Sequence, residues 1–559
     1  MELRGTKYSW TVAPAAPDLV REIRGAAGVT DLLARVLAAR GLTSGSEAAR
    51  FLRADPGELP DKSLLPDAEA VVRGVAEALS NGTRVVVHGH DDADGVTAAA
   101  IMYEALSQLG ADVLTYVPDR RSEGHGLNRA EIDRLRSLGV GLIVTVDSCV
   151  SDVGEIAYAR DSGIETIVTD HHEIPRELPV ALAIVNAKLP DSRYPYRYLA
   201  GAGVALRIAD LLLEELSGRF GSGASTRSWY GSRWYDEALA LAALGSVADK
   251  VPLTGDNRSI VRGGLAVLPA TVRPGLRALL TVTGHWGASV SVADVQESIG
   301  PMFGRVSDGT GRNDALDLLL VSDLEDALER AHDLDRVRAH WKAAATAAWK
   351  IAEKAHGEDP NREDAAVVLD APVPLEVVGY VTSRLSAQTG LPVVVVSRRN
   401  GSATAEARGP AGFDFADALD SMRELFVNYG GHPRAAGFTI LTDRLPELKA
   451  RMLAYARSHP PARQPRRIDA MLPIADAGES AARELKRLGP FGQGNAPAVL
   501  LSLATGPADI ETAGRGGLRF STPVPSDRLP GGIVYRLRET DGVTCASILD
   551  VVGTDSKEE

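Results

Sequence analysis

The sequence predicts an α/β protein: a mostly parallel, doubly wound sheet, a long helix leading to a second α/β lobe, and a small β-rich module at the C-terminus. Three observations carry this. Short β-branched apolar runs recur as "TRVVVHG", "ADVLTYVP", "VGLIVTVD", "ETIVTD" and "ALAIVN", separated by helical stretches such as "GVTAAAIMYEALSQLG" and "NRAEIDRLRSLG". That alternation is the signature of βαβ units and a parallel sheet. Further on, "SDLEDALERAHDLDRVRAHWKAAATAAWKIAEKAHG" places Leu324, Leu328, Ala331, Leu334, Val337, Trp341, Ala345 and Ala348 at intervals of three or four, one face of a single long helix. A second α/β pattern then opens at "DAAVVLDAP", continues through "GLPVVVVSRR" and closes near Ile440.

Taken in order, residues 1–80 read as a helical arm ("VTDLLARVLAARG", "SGSEAARFLRA") broken by the turn-rich "DPGELPDK". Residues 81–320 form the first α/β domain with a helical extension, 321–358 the connecting helix, and 359–458 the second lobe. Residues 459–559 hold the linker "SHPPARQPRR" and a module with strands at "VLLSL", "GIVYRL" and "ASILDVV". A chain of 559 residues has room for three or four such domains at roughly 150 residues each. No apolar run reaches the roughly 18 residues that span a bilayer. Two cysteines, Cys149 and Cys545, make no disulfide framework, and a reducing cytoplasm is the expected compartment. The net charge of −13 argues against coating a polyanion over the whole surface but leaves room for a local basic groove.

The chemistry gathers at the ends of the apolar runs, where loops emerge from a parallel sheet. "RVVVHGHDDADG" delivers His90, Asp92 and Asp94; "GLIVTVD" ends on Asp147; "ETIVTDHH" ends on Asp170, His171 and His172; and "ALAALGSVADK", read as a fourth strand, ends on Asp249. One acid after a strand is commonplace, because aspartate caps the helix that follows. Carboxylates and imidazoles at four such ends, with no thiolate, are instead the donor set of two hard divalent cations. Imidazole in the set favours manganese over magnesium. Two ions about 4 Å apart suit hydrolysis at phosphorus. Asp91 is the odd acid of the group and is expected to face solvent, and Cys149 to pack as a small hydrophobe.

At "HDDADG" and "TDHH", with "TVD" between them, the chain resembles the DHH phosphoesterase family. "PDRRSEGHGLN", "PYRYLAGAGVA", "LGSVADKVPLTGDNR", "VVGYVTSRL", "GFDFADAL", "YGGHPRAAGFTI" and "LGPFGQGNAPAVL" extend the likeness to that family's single-strand-specific exonucleases, from about residue 70 to 500. The resemblance implies a DHH catalytic lobe, a DHHA1 lobe and an OB-like terminal module. It implies a 5′-to-3′ exonuclease that cuts single-stranded DNA to mononucleotides in repair and recombination. It makes Asp92, Asp94, Asp147, His171 and Asp249 ligands of two Mn2+ or Mg2+ ions. His90 joins them, standing where these exonucleases carry aspartate and other DHH enzymes histidine. Asp170 and His172 are the catalytic pair, with His172 facing the scissile phosphate. In the DHHA1 lobe, Gly430 and Gly431 would lie close to a phosphate backbone, with His432, Arg384 and Arg408 as phosphate contacts. A single-strand-binding protein or a helicase is the partner the resemblance implies, with a monomeric chain and no membrane.

The chain departs from that family in three places. An "NAAGR"-like segment is replaced after Pro301 by "MFGRVSDGTGRND", "TVDSCVS" stands for "TVDCGIS", and beyond Leu500 only Phe520 and Tyr535 offer rings for base stacking. Two other readings fit the same residues: a DHH phosphodiesterase for short oligonucleotides or cyclic dinucleotides, and a non-catalytic nucleic-acid-binding replication scaffold.

Overall fold

The structure is a computed structural model that describes all residues except 120–122, 125, 221–230, 304–310, 360–364, 400, 462–464, 504, 506–508, 511–512, 515–516, 522–531, 541–542 and 553–559. Parts of "PDRRSEGHGLN", of the segment after Pro301 and of the arginine-rich linker therefore lie outside the described residues. The chain forms two compact units, Met1–Asp335 with Arg467–Glu559, and Arg336–Arg466.

The first unit opens with a hairpin, β1 (Glu2–Arg4) and β2 (Ser9–Val12), followed by helices α1 (Pro17–Ala27), α2 (Asp31–Ala39), α3 (Gly45–Arg53) and α4 (Ala68–Asn81). Then come β3 (Arg84–His88), α5 (Ala93–Gln108), β4 (Val113–Tyr116), α6 (Arg129–Ser137), β5 (Val140–Val146), α7 (Val153–Asp161), β6 (Glu165–Thr169) and β7 (Ala183–Val185). These strands form one sheet in the order β4-β3-β5-β6-β7, every pair parallel. The chain first winds to one side of β3 and then to the other. The gap between the ends of β3 and β5 is thus the switch point, where open α/β sheets place their ligands.

Helices α8 (Gly201–Phe220), α9 (Arg233–Ala248), α10 (Gly255–Val267), α11 (Pro274–Val282), α12 (Val292–Asp294) and α13 (Asp314–Leu320) complete this part. Helix α5 is buried nearly all round, and its alanines belong to one core with those of α8 and α9. The run "ALAALGSVADK" is the end of α9, so Asp249 follows a helix and not a strand. A run of alanine and leucine without period 2 is ambiguous by pattern, and alanine's high helix propensity decides it.

The arm and the C-terminal module share a core. Ile23, Leu33 and Leu37 of the arm are buried with Leu485, Leu500, Ile533 and Tyr535. The module comprises β13 (Arg466–Ile468), β14 (Ala470–Met471), α18 (Glu479–Lys486), β15 (Leu500–Leu503), β16 (Arg519–Phe520), β17 (Gly532–Thr540) and β18 (Val543–Val552), numbered after the elements of the second unit below. β13 joins the N-terminal hairpin, and the rest form a mixed five-stranded sheet, β14-β15-β17-β18-β16. Tyr535 is fully buried and donates its hydroxyl to Leu472 O at 2.8 Å, so it packs the core and offers no ring to a base.

Helix α14 (Leu324–Glu358) begins in the first unit and runs into the second. Its stripe serves two cores, with Ala331 and Leu334 buried in one and Ala345 and Ala348 in the other. Val337, expected on the same buried face, is 46% exposed because it falls between those two buried stretches. The second unit continues with β8 (Val367–Asp370), α15 (Val378–Thr389), β9 (Val393–Arg399), β10 (Ser402–Arg408), α16 (Phe415–Asp420), β11 (Phe426–His432), β12 (Ala435–Leu441) and α17 (Leu445–Ser458). Its sheet runs β11-β12-β10-β9-β8, with β11 at the edge. No single helix among the described residues is long and apolar enough to cross a membrane.

Candidate metal centre

Three strand ends and one helix end meet at the switch point. His90 follows β3, and its Nδ1 lies 2.9 Å from Asp92 Oδ2 and 3.7 Å from Asp147 Oδ2. His171, after β6, brings Nε2 to 3.0 Å from Asp147 Oδ1 and to 3.8 Å from both Asp94 Oδ2 and Asp249 Oδ2. Donor atoms of His90, Asp92 and Asp147 lie within 4.8 Å of one another; so do those of Asp94, His171 and Asp249, and those of Asp147, His171 and His172. Asp147 belongs to two of the three groups and His171 to two, with the Asp147–His171–His172 group common to both, the arrangement expected of two adjacent cation positions.

The scaffold around these groups is specific. Asp94 is buried in the first turn of α5, where its two oxygens accept the free amides of Gly201 and Ala202 at 2.7 and 2.9 Å, at the start of α8. Asp92 caps α5 through a 3.0 Å bond from Gly95 N. Asp147 takes a left-handed backbone (φ 60°), a strained setting for a residue with a side chain. Two glycines make room: a Cβ at Gly201 would stand 2.4 Å from Asp147 Oδ1, and one at Gly245 would stand 2.5 Å from Asp94 Oδ1. Neither glycine was singled out in the sequence, although "LAGAGVA" and "ALGSVAD" carry the signal of small residues at a close approach.

Charge explains why the cluster needs a cation. Burial pushes Asp94 up to about 7, with Asp249 and Asp92 pushing the same way against His171. Burial, with Asp94 and Asp92 beside it, holds Asp147 well above the usual carboxylate range, and burial also raises Asp249. Asp147 Oδ1 is buried; the 3.0 Å approach of His171 Nε2 does not form a hydrogen bond, and no other described residue donates to it. An oxygen-rich, thiolate-free pocket in which buried Asp94 and Asp147 face the more exposed Asp92 and Asp249 fits divalent cations of the Mn2+ or Mg2+ kind.

Asp170 differs from its neighbours. Its Oδ1 accepts the amides of His171 and His172 and lies 2.8 Å from His172 Nδ1, while Oδ2 accepts Val150 N at 3.0 Å. Burial pushes its pKa up, but these bonds and the two imidazoles outweigh it and the carboxyl is held below its ordinary value. The hydrogen bond to Asp170 raises His172, whose side chain is 53% exposed. Asn186 Nδ2 fixes the same loop by donating to His172 O at 2.9 Å. Asp91, expected in solvent, is buried. Cys149 packs in an apolar cluster, as expected.

In the second unit, β12 lies between β10 and β11, and Ala435 pairs with both Arg408 and His432. Those two side chains therefore sit on strands flanking one residue, two strand spacings or about 10 Å apart. Arg408 donates to Glu406 Oε2 at 2.8 Å. Arg384, on α15, lies 4.2 Å over the Trp349 ring and donates to the Tyr380 hydroxyl at 2.8 Å. Gly430 and Gly431 are exposed on the edge strand β11, and a Cβ at Gly431 (φ +145°) would stand 2.4 Å from Ala436 Cα.

Residues 84–227 match the DHH family, N-terminal domain, and residues 365–458 match the DHHA1 domain. The single-stranded-DNA-specific exonuclease RecJ of Salmonella typhimurium is 30% identical over 486 residues, 84% of this chain and 82% of that protein. The chain belongs to the RecJ family. RecJ of Thermus thermophilus is 35% identical over 464 residues, 82% of this chain. A solved structure of Thermus thermophilus RecJ in complex with Mn2+ matches with a TM-score of 0.77 at 29% identity, covering 97% of this chain and 79% of that one. The chain spans 62% of the length of the Bacillus subtilis RecJ and 65% of the Thermus one.

Proposed function

We propose that the protein is a metal-dependent exonuclease that hydrolyses single-stranded DNA from the 5′ end to mononucleotides, in DNA repair and recombination. The observation that carries this is the sharing of Asp147 and His171 among donor groups packed within 4.8 Å at the switch point. His90, Asp92 and Asp147 would hold one Mn2+ or Mg2+ ion, and Asp94, His171 and Asp249 the other, with Asp147 shared. Two such ions supply Lewis acidity and neutralise the charge that builds on a phosphodiester under attack.

The protein's own groups do the rest. Amides at the start of α8 orient Asp94, the glycines of α8 and α9 admit the carboxylates, and Asp170 locks the His172 ring through Nδ1. His172 is thereby fixed in a half-exposed position, with Nε2 free to donate to a phosphate oxygen. Arg384, Arg408 and His432, with the side-chain-free backbone at Gly430 and Gly431, are the groups we assign to the strand's phosphates. A monomer in the cytoplasm, working with a single-strand-binding protein or a helicase, completes the reading.

The test is Mn2+-dependent release of label from single-stranded DNA marked at the 5′ or the 3′ end, comparing wild type with Asp147→Ala. Early loss of the 5′ label as mononucleotide, absent in the variant, is the expected result. Release confined to oligomers a few nucleotides long would favour the short-substrate phosphodiesterase. No release from either end would leave the scaffold reading in its place.

A further inference from the structure

A cavity of about 400 Å³ opens in the first unit, sharing no residue with the carboxylate cluster. Ala26 and Ala27 of α1, Ala49, Leu52 and Arg53 of α3, Arg262 of α10, and Lys486, Arg487 and Gly489 around the end of α18 line it. Four of the nine are cationic and none is acidic, on a chain whose net charge is −13. Arg53, Lys486 and Arg487 have carboxylate partners outside the lining, Glu58 at 3.0 Å, Glu539 at 3.4 Å and Glu484 at 2.9 Å. Arg262 has none among the described residues: its guanidinium donates to Leu52 O.

One helical turn before Arg262, Arg258 is buried behind the same wall. Its guanidinium donates to Phe51 O, Leu488 O and Gly489 O at 2.8, 2.7 and 2.7 Å and lies 3.9 Å over the Phe51 ring. Every donor bond goes to a carbonyl and none to a carboxylate, so its full charge stays uncompensated beside Gly489, in the cavity lining. Burial, followed by the charges of Arg262 and Arg40, lowers its pKa to about 9. An anion next to this wall would relieve that cost.

We propose that this cavity binds the phosphate of a nucleotide. Three guanidiniums and an ammonium line it, Arg262 among them without a carboxylate partner among the described residues, and a guanidinium fork matches phosphate oxygens in pairs. The volume lies in the range of small-ligand sites, with alanines and Leu52 as the apolar part and cations as the polar part. The choice of a nucleotide among phosphate compounds rests on the exonuclease reading. The phosphate could come from a released mononucleotide or from the backbone of the strand, and the same contacts would hold either.

The test uses the full chain in EDTA, where binding is read without cleavage, so its outcome stands apart from that of the nuclease assay. Binding of inorganic phosphate, thymidine monophosphate and fluorescent oligo(dT) is measured over a salt series for wild type and for the exposed-site variant Arg262→Gln/Lys486→Gln. An unchanged melting curve shows that the variant is folded. We expect at least about a tenfold loss of affinity and a salt slope shallower by about 1 per cation removed. Loss for all three probes identifies the free nucleotide as a source, and loss for oligo(dT) alone identifies the strand backbone. Unchanged affinity for all three overturns the proposal.

Discussion

Gly201 lies directly against Asp147: a Cβ at Gly201 would stand 2.4 Å from Asp147 Oδ1 and 2.5 Å from its Cβ. The start of α8 is therefore the wall that fixes the carboxylate shared by two of the three donor groups, and the Gly201 amide holds Asp94 from the same position. Gly201→Ala is expected to push Asp147 out of register while leaving the helix intact, since alanine suits a helix better than glycine. A displacement near 1 Å costs on the order of 10²-fold in rate. Mn2+ titration and nucleotide release should both fall while the circular dichroism spectrum stays unchanged. Wild-type Mn2+ affinity in the variant would remove Gly201 from the centre's architecture.

The N-terminal hairpin is pinned by one distant carboxylate. Asp550 on β18 accepts Trp10 Nε1 at 2.8 Å, Thr6 Oγ1 at 2.7 Å and Tyr8 N at 3.0 Å. Burial raises its pKa, but these bonds outweigh burial and hold the carboxyl below the ordinary 3.8. A lowered folded-state pKa contributes stability that is complete above that ordinary value and lost as pH falls through the lower folded one. Asp550→Asn is expected to cost about 1.5–3 kcal/mol at pH 7 and to flatten the acid limb of the stability curve below about pH 4. Thermal melts from pH 2.5 to 7 read both, and superimposable curves for the two proteins would show that the hairpin is held by other contacts.

Legibility in the sequence followed the physics of each element. β3, β5 and β6 were readable because a buried parallel strand is a short β-branched run, and the polar residues ending such runs include the candidate donors. Asp249 was read as a candidate donor, and the structure puts it beside Asp94 and His171, but on the wrong kind of element, since a buried alanine-rich helix has no amphipathic period to betray it. Asp91 was misplaced because charge alone argued for solvent and the tightness of the loop after β3 does not show in residue types. Gly201 and Gly245 matter through an absent Cβ, which becomes visible only when the opposing carboxylate is in place. The sharing of one core by the arm and the terminal module, and the reach of Asp550 to Trp10 across 540 positions, depend on long-range packing that no local pattern encodes. Asp170 was read with His172 as catalytic, beside the candidate ligand His171, and only its four bonds, to three amides and one ring nitrogen, point to a positioning task.

Metal should also act as a structural ligand. Without a cation, buried Asp94 and Asp147 oppose one another, and among the described residues only the His171 ring stands against Asp147 Oδ1. An ion that binds only the folded chain stabilises it by about 2.7 kcal/mol at a hundred times its Kd, several degrees in Tm. Asp147→Asn removes one of the repelling charges at nearly constant volume, so the metal-free variant is expected to melt at or above the wild-type temperature. It should at the same time lose the rise that Mn2+ gives wild type. These two signs point in opposite directions, which separates a cation-binding carboxylate from one that merely holds the fold: the latter would lose stability on substitution whether or not Mn2+ is present. An equal Mn2+-induced rise in both proteins would move the ions away from Asp147 and break the assignment of the shared ligand.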